Sequence, residues 1–453
     1  MKVIEKYNES AMKFTNSDEF RKRIHQLIPG GAHTYSKGDD QFPQLSPAAI
    51  SHGKGAWVWD IDGNKFLDCS MGLTSVTLGH AFEPVLERVR AELEKGVNFQ
   101  RPSCIELEMA EEFLSLVPQH DMIKFAKNGS IVTTAATKLA RAFTGRKIIA
   151  FPGDHPFYSY DDWFIGKTAC NAGVPDEISA LSVTFKSGNL DSLEKLFAQY
   201  PNQIACVITE PEKNFDRENG INPEEYLKKA IEITHKSWDL INLAEIINGI
   251  KIEMSGASSK YNLRPDMATW GKSTANGFSF CALTGTKEVM QLGGIDRLGE
   301  EKVFLISTTH GGETHGIAAG LATIKFYRKN DVISKNIATG NSIINKCNEI
   351  LKQNGLEDII ELSQTPWMVV FVFKNNSNEI DNRLRTLFLQ EMINYGVLFQ
   401  GAFVPCYSHS EIEITFFVAA FQNAIELYKR ALKDGYESML IGEPTKPVFR
   451  KYI

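Results

Sequence analysis

The sequence predicts an α/β protein: a mostly parallel sheet covered on both faces by helices, plus a smaller α/β domain. Three observations carry this reading. Between about residues 120 and 320, short apolar runs alternate with segments of helical periodicity, as in repeated strand–helix units. The apolar runs, such as Lys147-Ile148-Ile149-Ala150-Phe151 and Ile204-Ala205-Cys206-Val207-Ile208, read as strands buried on both faces. And 453 residues are too many for one simple core, so two domains on one scaffold are expected.

Composition bounds the function classes. Hydrophobic residues make up 43% and charged residues 23%, which is ordinary for a globular protein. A net charge of -6 leaves no basic surplus to neutralise phosphates, so no nucleic-acid partner is expected. The 7 cysteines are odd in number and contain no Cys-x-x-Cys pair, which fits reduced structural thiols in a cytoplasm and no metal site. Met1 to Ser10 is polar and charged, unlike a signal peptide, and no apolar run reaches the ~18 residues of a membrane span.

Taken in order, residues 1–54 read as an N-terminal helical arm and loop. Phe20, Ile24, Leu27 and Ile28 fall at helical spacing, and Pro29-Gly30-Gly31 stops the pattern; 32–54 is loop-rich. Residues 55–118 read as the first part of a small domain. Gly55 to Asp68 is a hairpin around Asp62-Gly63-Asn64, a helix follows Gly79-His80, and a second helix presents Leu107, Ala110, Phe113 and Leu114. Arg101, before that second helix, either meets an anionic substrate group or is a solvated arginine. Residues 119–328 read as the large domain. Met122 to Ala126 runs into Asn128-Gly129-Ser130 and a helix, a turn that offers backbone N–H groups to an anion. Further strands end at Phe151, at Glu210-Pro211 and at Ala244-Glu245; ligands of open α/β sheets bind beyond such carboxyl ends, which places Glu212 and Asn214 near a pocket mouth. Residues 329–453 read as a C-terminal α/β part of the small domain, with Trp367–Phe373 as an apolar strand and Thr386–Tyr395 as a helix.

The chain is organised around Arg264-Pro265-Asp266-Met267-Ala268-Thr269-Trp270-Gly271-Lys272-Ser273. Lys272 sits in a Gly-punctuated turn, a context for an amine that condenses with a cofactor aldehyde. This stretch resembles the lysine segment of class III pyridoxal-phosphate aminotransferases, in the branch similar to glutamate-1-semialdehyde 2,1-aminomutase. The Asn128-Gly129-Ser130, Gly153-Asp154-His155 and Thr308-Thr309-His310-Gly311-Gly312 segments match in the family's order.

The resemblance implies fold-type I and a pyridoxal 5′-phosphate cofactor held by Lys272, which would also move the proton in an amino-group transfer or migration on a small carbonyl substrate. It implies phosphate contacts from Gly129, Ser130 and Ile131, otherwise an ordinary strand–helix turn, with Asn128 among the cofactor-binding positions, and a stacking role for His155, otherwise a loop histidine bonded to backbone. Glu210 falls among the cofactor-binding positions and Ser70 where relatives line the substrate pocket. It implies a homodimer in which Thr309 reaches the partner's cofactor phosphate. One departure stands out. Relatives carry an aspartate at the position of Ala244, which keeps the pyridine nitrogen protonated; alanine cannot. Asn242 shares a face with Ala244 but lies two residues away, and Ile131 replaces a second carboxylate. The rival reading is therefore a protein that keeps the fold and the cofactor pocket but has weak or no turnover, with a binding or assembly role.

Overall fold

The computed structural model describes residues 12–211, 222–237 and 239–452. The chain forms two compact units: Met1–Phe82 with Ser334–Val448, and Glu83–Ile333 with Phe449–Ile453.

In the first unit the arm is a helix, Thr15–Leu27, fastened by Arg21, which bonds Asp39 at 2.9 Å and the Ser46 carbonyl at 3.1 Å. Its apolar stripe does not pack inward; Leu27 is 72% exposed and Ser17 is the buried residue of the helix. The hairpin pairs Trp57–Asp60 with Lys65–Asp68, Val58 facing Phe66. Asp60 Oδ1 accepts the backbone N–H groups of Asp62 and Asn64, and Gly63 takes φ 84°, so the turn is set by its own residues. The loop-rich stretch before it contains a strand, Ile50–Lys54, paired to the hairpin through an irregular register. Its residues are nearly all exposed, so no apolar alternation marked it. Val397–Leu398 adds to the other edge in parallel. A second sheet of Ile360–Leu362, Val369–Phe373 and Ala402–Phe403 lies in a cluster in which Phe371, Phe388, Phe399, Phe417 and Phe421 interlock mostly tilted or edge-on.

The second unit holds the larger sheet. Its elements are α1 (Glu83–Leu93), α2 (Cys104–Leu116), β1 (Met122–Ala126), α3 (Gly129–Thr144), β2 (Ile148–Pro152), β3 (Ser182–Phe185), α4 (Leu190–Gln199), β4 (Ile204–Thr209), α5 (Pro223–Lys236), β5 (Leu240–Glu245), α6 (Gly256–Lys260), β6 (Met267–Trp270), β7 (Cys281–Gly285) and α7 (Thr314–Lys329). The strand order is β1-β7-β6-β5-β4-β2-β3. β7 runs against both its neighbours, and the other pairs are parallel. The central strands β4, β5 and β6 are buried along their whole length, as two-sided cover requires. The helices α1 and α2, grouped with the small domain by sequence, fall within this second unit. On α2 the buried residues are Ile105, Met109, Phe113 and Leu116, while Leu107 is 64% exposed. The expected face was therefore rotated: Ser103 and Glu106 close a capping box, and the heptad-like series that counts starts at Ile105.

Candidate active site at the carboxyl ends of the parallel strands

The residues singled out by sequence follow the ends of β1, β2, β4, β5 and β6, which all point the same way. After β1, Asn128 is the N-cap of α3: its Oδ1 accepts the Ile131 N–H at 3.1 Å. The Ile131 amide is thus committed, and the first two helix amides, Gly129 and Ser130, are those left for an anion at the positive end of a 16-residue helix. Ser130 Oγ is also engaged, accepting the Tyr160 N–H at 3.1 Å. Accepting that bond leaves its hydroxyl hydrogen to donate, so Ser130 can meet an anion through both its backbone N–H and its side chain.

After β2, His155 is buried, its ring stacked on Tyr158 with centroids 3.9 Å apart. Its Nδ1 accepts the Phe157 N–H at 3.2 Å, which puts the ring proton on Nε2, and Nε2 meets the buried Glu210 carboxylate beyond β4. The histidine and Glu210, separate motifs in sequence, are one buried pair. Glu212 and Asn214 lie outside the described residues.

After β5 comes Ile246. A Cβ on Gly129 would come 2.9 Å from its Cδ1, and a Cβ on Gly271 3.3 Å from its Cγ2. The helix N-terminus, the exit of β5 and the lysine turn therefore meet around one isoleucine, with the backbones of both glycines packed close against it. Sequence reasoning missed Ile246; only the glycines on either side of it could have hinted at a crowded backbone. Asn248 Nδ2 donates to the Pro211 carbonyl at 2.9 Å and ties the exits of β4 and β5 together.

After β6, Lys272 opens a short 3-10 turn at φ 45°, a left-handed position that a non-glycine residue rarely adopts. Such strain is retained where surrounding structure enforces it, and it clusters at functional sites. Cys281 on β7 lies against this turn: a Cβ on Gly271 would stand 2.6 Å from its Sγ. Burial pushes the Cys281 thiol up to about 12, opposed by the Lys272 backbone N–H and by the charges of Lys272 and Lys127. Lys127, not anticipated, is ion-paired with Glu313 at 3.1 Å, and that pairing helps to hold the Glu313 carboxyl below its usual range against burial.

Ala244 is 4% exposed. It shares the core cluster of Val132, Ala135 and Met267, so it faces α3. Glu245, its neighbour, faces the other way and accepts the Ala257 N–H at 2.8 Å. Thr309 lies in an exposed loop, its carbonyl accepting from Asn98 Nδ2 at 3.0 Å; Arg101 is exposed before α2. Ser70 belongs to the other unit and donates to Gln400 Oε1 at 3.1 Å. Among the described residues no group of acidic, histidine and cysteine side chains could hold a metal ion, and no helix is long and apolar enough to cross a membrane.

The model of the class-III aminotransferase family matches residues 38–425. Glutamate-1-semialdehyde 2,1-aminomutase of Francisella philomiragia is 29% identical over 345 residues, covering 74% of this chain and 78% of its own. 3-Aminobutyryl-CoA aminotransferase of Cloacimonas acidaminovorans is 26% identical over 428 residues, covering 93% and 99%. Among solved structures, the pyridoxal-phosphate internal aldimine form of FumI from Sphingopyxis sp. MTA144 superposes with a TM-score of 0.83 at 21% identity, covering 96% of this chain and 100% of that one.

Proposed function

The chain belongs to the class-III aminotransferase family, and on that premise we propose that Lys272 carries pyridoxal 5′-phosphate in the transfer or migration of an amino group on a small carbonyl or amino substrate. Class-III aminotransferases bind this cofactor. The observation that carries the reading is the convergence around Ile246 of the strained Lys272 turn and the N-terminus of α3.

The residues fit the group in three respects. The Gly129 and Ser130 amides suit its phosphate, with Asn128 fixing the helix start. His155, held by Glu210, Phe157 and Tyr158, offers a rigid imidazole for stacking. Lys272 supplies the amine. They do not fit in a fourth: Ala244 gives the ring nitrogen no anion. The bound cofactor supplies an aldehyde for amine exchange and a ring that draws electrons from the reacting carbon. Lys272 Nζ, when neutral, accepts the proton from that carbon and returns it elsewhere. Arg101 and Ser70, with Glu212 and Asn214, are the proposed substrate contacts; a guanidinium suits an anionic substrate group. Thr309 is proposed to act in a homodimer, on the partner's cofactor phosphate.

Borohydride reduction followed by peptide mass mapping tests the assignment of Lys272; a label on another lysine, or none, refutes it. Light scattering showing a monomer at micromolar concentration would refute the donation of Thr309. Ala244 favours a second reading, in which the protein binds the cofactor but turns over weakly and serves a binding or assembly role. The cofactor's visible absorption before and after adding amino donors separates the two.

A further inference from the structure

We propose that Asn242 and Thr269 hold an ordered water beside Ala244, and that this water, rather than a carboxylate, is the hydrogen-bond partner of the cofactor's ring nitrogen. The proposal rests on pyridoxal phosphate occupying the site. Asn242 lies in the central strand β5 and is 0% exposed. Among the described residues neither its Oδ1 nor its Nδ2 has a partner. Thr269, on the neighbouring strand β6, is also 0% exposed, and its Oγ1 is likewise unpartnered. The β5–β6 register sets Ala244 beside Thr269 and Asn242 beside Met267. Alternation along a strand puts Asn242 and Ala244 on one face, and paired residues of adjacent strands share a face. That face is turned toward α3, since Ala244 and Met267 belong to the cluster containing Val132 and Ala135.

Three orphan polar atoms thus lie on the face of Ala244, one on its β6 neighbour and two on the residue two places before it in β5. A buried amide without partners is costly, and native proteins satisfy such groups with protein or with ordered water. A buried water typically makes about three hydrogen bonds to such groups. Here the amide can donate and accept, and the threonine hydroxyl can do either. Bonded to both, the water keeps one hydrogen for a third partner beyond Ala244, at the carboxyl end of β5, where the exit residues converge on Lys272.

The chemistry follows from charge. Amide, hydroxyl and water are all neutral. They can donate to an unprotonated pyridine nitrogen, but they do not balance a buried pyridinium as an anion would. Asn242 is then a positioning residue that acts through the water, and it specifies a neutral ring.

The full-length protein reconstituted with ring-15N pyridoxal phosphate provides the test, after mass mapping has located the cofactor. The 15N shift of the native protein should lie in the range of a neutral, hydrogen-bonded pyridine. Ala244→Asp should move it toward pyridinium. Asn242→Leu should move it toward a pyridine without a donor, and Thr269→Val should do the same to a lesser degree, which keeps the proposal testable if Asn242→Leu does not fold. A native nitrogen in the pyridinium range overturns the proposal, and so does a neutral one indifferent to Asn242→Leu and Thr269→Val. Cofactor absent from Lys272 overturns instead the site assignment on which the proposal stands.

Discussion

Replacing Ala244 with aspartate should speed the first half of amino transfer, and the size of the gain can be worked from the site. The new carboxylate would extend from a residue that is 4% exposed, on the face toward α3, with Asn242 and Thr269 as potential donors close by. A charge-assisted hydrogen bond is worth about 1.5–3 kcal/mol. At ~1.4 kcal/mol per decade, the reaction of a generic amino donor should accelerate at least about tenfold and up to about a hundredfold. The apoprotein should respond in the opposite sense. A carboxylate buried there without a cation loses hydration and costs more than the ~1–3 kcal/mol of a neutral polar group, so the apo form should melt earlier. Cofactor binding should recover that loss, and the melting gap between apo and loaded protein should widen. The assay follows decay of the cofactor's visible band on mixing with donor, with thermal melts in parallel. A native protein that already reacts quickly, and is slowed by the aspartate, would refute the reasoning and show a site rebuilt for other chemistry. If neither form reacts but both bind cofactor, Ile131 or an unsuitable donor is the better explanation.

The remaining predictions concern the scaffold and the lysine. Lys272→Ala should abolish the borohydride-fixed label while leaving the melting temperature of the apoprotein close to native. Phe113→Ala should cost about 3–5 kcal/mol in denaturant unfolding, because the ring is 1% exposed, whereas Leu107→Ala should stay within about 0.5 kcal/mol; equal losses would refute the assigned face of α2. Burial lowers His409 to about 4, and its Nδ1 accepts the Cys406 N–H. Below the unfolded value of ~6.5 the unfolded chain takes up a proton that the folded chain refuses, so stability should fall between pH 6.5 and about 4 by up to ~1.4 kcal/mol per pH unit. His409→Asn, which can still accept that N–H, should flatten this acid limb; an unchanged slope would show that another group governs it.

What was legible in the sequence follows from what local pattern can encode. The buried runs of β2, β4 and β5 were plain because each is largely apolar, Asn242 being the polar residue inside β5, and each is bounded by polar or turn residues. The strand Ile50–Lys54 was not, since it is exposed and pairs through an irregular register. The buried face of α2 was misjudged because Leu107 is an apolar residue on an exposed face, and apolarity alone does not say which way a side chain turns. Lys272, Gly129 and Ser130 could be read from punctuation and motif. Ile246, the Lys127–Glu313 pair and the joining of His155 to Glu210 could not, because each depends on contacts between segments far apart in the chain.

The structure also decides a question that the sequence leaves open, namely whether Glu245 can stand in for the carboxylate missing at Ala244. Adjacent strand residues point to opposite faces, and Glu245 pairs in register with Trp270, away from α3. Its Oε1 accepts the Ala257 N–H at 2.8 Å and the Ser258 N–H at 3.3 Å, at the start of α6. Gly256 sits so close that a Cβ there would stand 2.7 Å from the same oxygen. To reach the α3 face the side chain would have to pass through a fully buried strand and leave those amides without an acceptor, at about 1–3 kcal/mol for each buried group stranded. Glu210 is no freer, since its carboxylate holds His155 Nε2. Among the described residues, Glu245 and Glu210 are therefore both engaged by protein donors, and the polar groups that remain on the face of Ala244 are the neutral amide of Asn242 and the hydroxyl of Thr269. Loss of charge at this position is thus built into the packing of β5, and a single carboxylate restored at position 244 is the smallest change that could reverse it.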